Sequence, residues 1–233
     1  MKEVASPRSI ARLAGVFYLI TIVVGIFAEL VVRGQLVDYS DAALTAQKIL
    51  ASETLYRLGF VADIVGGVSY LFVTWLLYEL FKRVNQPVSL LAALFSIVGI
   101  AIGGVASVAH LAPLYLLKGA PYLASFSVSQ LQTLALLSLK LHALGYQIDL
   151  VFFGFYCLLL GYLIVRSTLI PNVIGALIAV AGLALLLNSF IAFVSPPVSH
   201  IIANYFFALD GIGEIALMLW LLIKGVGTIP DLA

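Results

Sequence analysis

Six stretches of this chain are each too long and too apolar to be one buried face of a water-soluble fold. They lie near residues 11–32, 58–81, 88–115, 144–165, 171–194 and 201–223. About 20 mainly apolar residues make a helix that crosses the hydrocarbon core of a bilayer. Backbone N–H and C=O groups find no partner in lipid, so such segments must be helical and satisfy themselves. The pattern predicts an all-α integral membrane bundle of six transmembrane helices. Composition agrees: 63% of the 233 residues are hydrophobic and 10% are charged, where a soluble chain is about half apolar and a quarter charged. The length suits a single six-helix transmembrane domain over 1–233, with no room for a separate soluble one. A net charge of +1 argues against a nucleic-acid partner and leaves the lipid bilayer as the expected one. The single cysteine, Cys157, excludes an internal disulfide. The sequence carries no sign of oligomeric state.

The Lys/Arg distribution sets an expected orientation. Lys2, Arg8, Arg12, Lys82, Arg83, Arg166 and Lys224 fall on one side, and Arg33, Lys48, Arg57, Lys118 and Lys140 on the other. The richer side should be cytoplasmic, which places both termini inside a plasma membrane. The first span is too long for a cleaved signal peptide and lacks a small-residue cleavage site. Pro87 and Pro171 fit helix starts, and Pro196-Pro197 breaks the chain between the last two spans. The two long connections face outward. In the first, Ser40-Asp41 reads as a helix cap before a short surface helix near 41–51. In the second, residues 119–143 end in a helical run into the fourth span. Unbroken to Arg166, that run would be about 55 Å long, so it must project past the bilayer, tilt or bend, with Gly145 the favoured bend point.

Polar side chains recur near one depth. Glu29, Asp63, His110 and Asp149 fall near the outer headgroups, with His142 and Tyr146 slightly above and Asp210 and Glu214 closer to the midplane. Helical spacing aligns Asp63, Gly67, Tyr70 and Thr74 on span two, and Ser96, Gly99, Gly103, Ser107 and His110 on span three. It also aligns His142, Tyr146 and Asp149 on span four. A charge facing lipid costs about 3 kcal/mol at a span centre, so these faces should turn into the bundle. The expected site is a polar pocket open to the outside, built from Glu29, Arg57, Asp63, His110, His142, Tyr146, Asp149, Asp210 and Glu214. A plainer account competes with it. Glu29 can pair with Arg33 one turn on, Asp63 with Arg57 or Arg33, Glu79 with Lys82 or Arg83, and His110 can donate to a backbone carbonyl.

Motifs with diagnostic chemistry are absent: no phosphate loop, His-Glu-x-x-His, nucleophile elbow or CxxC. No cofactor is therefore expected. Haem between His110 and His142 has no other support. A carrier using Asp210 and Glu214 has only Gly211 and Gly213 to suggest a broken helix. His110 and His142 with Asp63 or Asp149 form a conceivable metal set, without diagnostic spacing. The residues favour binding or translocation of a small or lipid-like molecule, with Tyr70, Tyr146, Phe152 and Phe206 as candidate aromatic walls. A metal-dependent membrane hydrolase using the outer His and Asp residues is the alternative, and the balance leans away from an enzyme.

Three blocks carry a resemblance over nearly the whole chain. The first is Arg12-Leu13-Ala14-Gly15 with Ala28-Glu29-Leu30. The second is Ile49-Leu50-Ala51-Ser52-Glu53, then Arg57-Leu58-Gly59 and Ala62-Asp63. The third runs from His142-Ala143-Leu144-Gly145-Tyr146 through Leu150 to Phe155, Leu160-Gly161-Tyr162 and Arg166-Ser167 to Pro171 and Gly175. Together they resemble the bacterial membrane-protein family catalogued as domain of unknown function 4386. The resemblance implies a six-span bacterial membrane protein and supplies no activity or residue role.

Overall fold

The computed structural model describes residues 6–227, with the side chain of His200 set aside. Lys2, and the two chain ends whose side of the membrane was anticipated, lie outside the described residues. Among those described, six helices are long and apolar enough to cross a membrane: Pro7–Leu36, Glu53–Phe81, Gln86–Leu117, Val128–Arg166, Asn172–Val194 and Ile201–Lys224. No strand is present among them. The chain is an all-α, multi-pass membrane protein. Val105, Val108, Trp75 and Leu30 stand exposed on the spans, an apolar surface that lipid must cover.

Local chemistry explains the helix ends. The Asn85 side chain accepts the Val88 N–H at 3.2 Å, and Pro87 occupies the second position of the helix it opens. Span five begins one residue after Pro171. Pro196-Pro197 does more than interrupt the chain: only Ser195 separates two helices, and the prolines form the first turn of the last one, Pro196–Leu219. Their missing N–H groups are ones a first turn leaves unpaired anyway.

The anticipated surface helix is Ala42–Ala51, and Asp41 caps it by accepting the Leu44 N–H at 2.9 Å. Thr45 is buried beneath it. Its hydroxyl donates to the Asp38 carbonyl at 2.8 Å and accepts the Asp38 N–H at 2.9 Å. The Ser40 hydroxyl and N–H both donate to Asp38, at 2.6 and 2.9 Å. These bonds favour the charged carboxylate and hold its pKa below the ordinary value.

The described residues divide into two compact units. One comprises Ile20–Val68 and Ala101–Tyr146; the other comprises the rest. The first is centred on Val32, Leu36, Ile49, Tyr56, Leu114 and Leu139, all buried. The helix Val128–Arg166 is continuous through Gly145. Glycine there serves close approach, since an added Cβ would lie 2.5 Å from that of Ala106.

In the second unit, spans four and five touch backbone to backbone. A Cβ at Gly182 would lie 2.6 Å from the Gly154 carbonyl oxygen, and one at Gly161 would lie 2.7 Å from that of Gly175. Tyr18, Tyr70, Phe153 and Tyr156 pack in the same unit, with Tyr70 edge-on to the other rings at 5.2–6.0 Å.

Candidate functional site

The polar cluster of the first unit begins with an irregularity in span one. Residues Phe27–Arg33 form a π-helical segment, in which the Gly34 N–H reaches back to the Glu29 carbonyl. Such widened turns are rare and occur frequently at functional sites. This one carries both Glu29 and Arg33. The Arg33 Nε–H donates to Glu29 at 2.7 Å. Its two terminal nitrogens donate to the two Asp63 oxygens at 2.7 and 3.0 Å. That is the bidentate fork that makes guanidinium–carboxylate pairs strong and directional. The Arg33 and Asp63 side chains are only 11% and 15% exposed, whereas Glu29 is exposed. One guanidinium thus fastens span one to span two.

His110, fully buried, stacks on Tyr56 with ring centroids 4.4 Å apart and planes 12° from parallel. The two residues also exchange polar contacts. The Tyr56 hydroxyl donates to the His110 carbonyl, and the His110 Nε2 lies 3.4 Å from the Tyr56 carbonyl. Pro113, three residues on, lies inside the helix and lacks the N–H that would bond the Ala109 carbonyl. His142 meets the His110 ring edge-on, with centroids 5.4 Å apart, and its Nδ1 lies 3.1 Å from the Ala106 carbonyl. One nitrogen from each ring and one Asp63 oxygen lie within 4.8 Å of one another.

The other anticipated residues are placed differently. Arg57 is exposed and donates to Glu53 at 2.8 Å; Glu53 also accepts from Lys118 at 2.9 and 3.0 Å. Tyr146 belongs to the same unit and is exposed. Asp149, Asp210 and Glu214 belong to the other unit. There Asp149 lies against Gly99, where a Cβ would come within 2.6 Å of its carboxylate. Glu214 accepts the Tyr18 hydroxyl at 2.8 Å, and one buried oxygen of Asp210 has no partner. Glu79 takes Lys82 at 2.7 Å. Of the aromatic candidates, Tyr70 is buried among other rings and Phe152 packs on Phe95 at 6.3 Å.

A groove of about 610 Å³ opens in the first unit. Ala43, Leu44, Gln47 and Leu50 of the short helix form one wall, and Leu117, Gly119, Val128, Leu131 and Gln132 line the remainder. The walls are mostly apolar, with Gln47, Gln132 and Asp41 as hydrogen-bonding points. Its size falls within the range typical of small-molecule sites. None of the nine anticipated residues lines it. Sequence reasoning overlooked the groove because its walls come from three non-adjacent stretches, none of them unusual alone. Tyr56 was also missed, although it directly precedes Arg57. Arg33 was recognised only as a possible partner.

A family model described as Domain of unknown function (DUF4386) matches residues 13–225. No curated protein and no solved structure gives a significant match.

Proposed function

The chain belongs to the domain of unknown function 4386 family, and from its geometry we propose that it binds a small amphipathic molecule in the groove beside the short helix Ala42–Ala51. The observation that carries this reading is the groove itself. Leu44, Leu50, Leu117, Val128 and Leu131 supply apolar walls, and Gln47 and Gln132 supply amide donors and acceptors. Apolar walls with a few polar points suit a ligand with a hydrocarbon part and a hydrogen-bonding head. In this reading the groove lies on the outer side of a bacterial plasma membrane, with both termini cytoplasmic, an orientation the Lys/Arg bias supports. Supports fix the walls: Lys118, between the lining residues Leu117 and Gly119, is tied to Glu53. Ile49, on the helix that forms one wall, is anchored in the core with Tyr56 and Leu139. Glu29, Arg57, Asp63, His110, His142 and Tyr146 belong to the same unit but do not line the groove; in this reading the Glu29–Arg33–Asp63 contacts serve it only by holding spans one and two in register. In this reading Asp149, Asp210 and Glu214 act separately, in the other unit.

The test uses the detergent-purified protein and dansyl-undecanoic acid, whose fluorescence rises in an apolar site. Saturable binding is expected, with Leu131→Arg weakening it about tenfold or more, equivalent to about 1.4 kcal/mol. Binding that does not saturate, or that Leu131→Arg leaves unchanged, contradicts the proposal.

A further inference from the structure

We infer that Asp63, His110 and His142 form a binding site for one divalent first-row transition-metal ion, separate from the groove. Three observations meet at this point. The first is convergence: three side chains from spans two, three and four bring one candidate ligand atom each to within 4.8 Å of one another. Around tetrahedral zinc, ligand atoms bonded at 2.0–2.2 Å stand about 3.4 Å apart. The separations exceed that spacing by at most about 1.4 Å.

The second observation is the state of the two rings. A backbone carbonyl only accepts hydrogen bonds, so the ring nitrogen facing it must carry the proton. The Tyr56 carbonyl faces Nε2 of His110, and the Ala106 carbonyl faces Nδ1 of His142. The lone pairs are thereby left on Nδ1 of His110 and Nε2 of His142. Metal-ligating histidines are held in this way, with the second nitrogen donating to a carbonyl or carboxylate that fixes tautomer and ring orientation. Nδ1 of His110 is the telling atom: it is buried and has no hydrogen-bond partner. A buried lone pair without a donor is costly in a protein interior, and a metal ion satisfies it.

The third is the carboxylate. Arg33 uses both Asp63 oxygens, but each retains a second lone pair. Arg33 thus orients the carboxylate as an outer partner. Its positive charge is offset by Glu29, so Glu29, Arg33 and Asp63 together carry a net charge of −1 before the ion enters. Two imidazoles with one carboxylate suit zinc or ferrous iron and disfavour magnesium and calcium, which take oxygen ligands.

The experiment is done on the full-length protein in detergent. After stripping with a chelator, the protein is titrated with Co²⁺, whose visible bands are strong in four- or five-coordinate nitrogen-containing sites. One ion per chain is expected, displaced by Zn²⁺. Elemental analysis of the protein as isolated distinguishes zinc from iron. His142→Asn and His110→Gln each keep a donor to the facing carbonyl while replacing the imidazole lone pair with a weaker amide oxygen. Each should weaken binding by more than the 10–100-fold typical of losing an outer-shell partner. X-ray absorption on the metal-loaded wild type needs no variant and should count two imidazoles with oxygen as the remaining ligands. Absence of stoichiometric cobalt binding, or a coordination shell without imidazole, overturns the inference. So does unchanged affinity in the folded His110→Gln and His142→Asn proteins.

Discussion

Replacing Gly182 with alanine adds one methyl group at the place where spans four and five come closest. A Cβ built there lies 2.6 Å from the Gly154 carbonyl oxygen and 2.9 Å from both the Leu158 nitrogen and the Cys157 Cβ. Two of these neighbours are backbone atoms of a continuous helix and cannot rotate away. Ordinary contact begins near 3.4 Å, so the helices must part by about 0.8 Å at this point, loosening contacts along the whole seam. Overpacking of this kind costs about 1–3 kcal/mol, and rigid backbone neighbours place this case at the upper end. Alanine also has the better helix propensity, by about 1 kcal/mol. The net expectation is a loss of about 2 kcal/mol. Gly104 provides a control of opposite sign, because a Cβ there meets nothing within 4 Å. Gly104→Ala should be neutral or stabilising by up to about 1 kcal/mol. Unfolding in mixed micelles with increasing SDS, followed by tryptophan fluorescence, measures both variants. Equal stability of Gly182→Ala and Gly104→Ala would refute the backbone-contact account.

The Arg33–Asp63 pair predicts strong non-additivity. Arg33→Met alone leaves a largely buried carboxylate unpaired and should cost about 3 kcal/mol, whereas Arg33→Met with Asp63→Leu should recover most of that loss; additive losses in the same unfolding assay would contradict it. Gly119 sits at φ +73°, a conformation that costs other residues about 1–2 kcal/mol. Gly119→Ala should therefore destabilise by about that amount and weaken dansyl-undecanoic acid binding, because Gly119 lines the groove. Full retention of both properties would contradict the role given to this turn.

The helices were legible because lipid leaves a backbone no alternative, and because runs such as 90–102 are uninterrupted by charge. The cap at Asp41 was legible for a local reason: one side chain and one N–H three residues on decide it. The pairing of Glu29 with Arg33 followed from one-turn spacing. Its extension to Asp63 needed the fold, since Arg57 and Arg33 were equally good partners on paper and Glu53 takes Arg57. The π-helical segment at Phe27–Arg33 has no marker in the sequence, as neither proline nor glycine interrupts it. The seam between spans four and five did have one. Gly154 and Gly161 repeat at seven residues, and so do Gly175 and Gly182, placing two small residues on one face of each helix. Asp149 shares a helical face with His142, yet the two belong to different units. Spacing assigns a face, and only the packed neighbours decide what that face meets.

The most direct measurement of the central claim is cysteine labelling at Gln132, which lines the groove. The one native thiol, Cys157, is buried, so the unmodified protein supplies the background. In intact cells, Gln132→Cys should react with a membrane-impermeant maleimide added from outside, and dansyl-undecanoic acid should slow that reaction. Labelling only after the membrane is opened would contradict the orientation, and labelling at the same rate with and without the acyl probe would contradict the groove as its binding site.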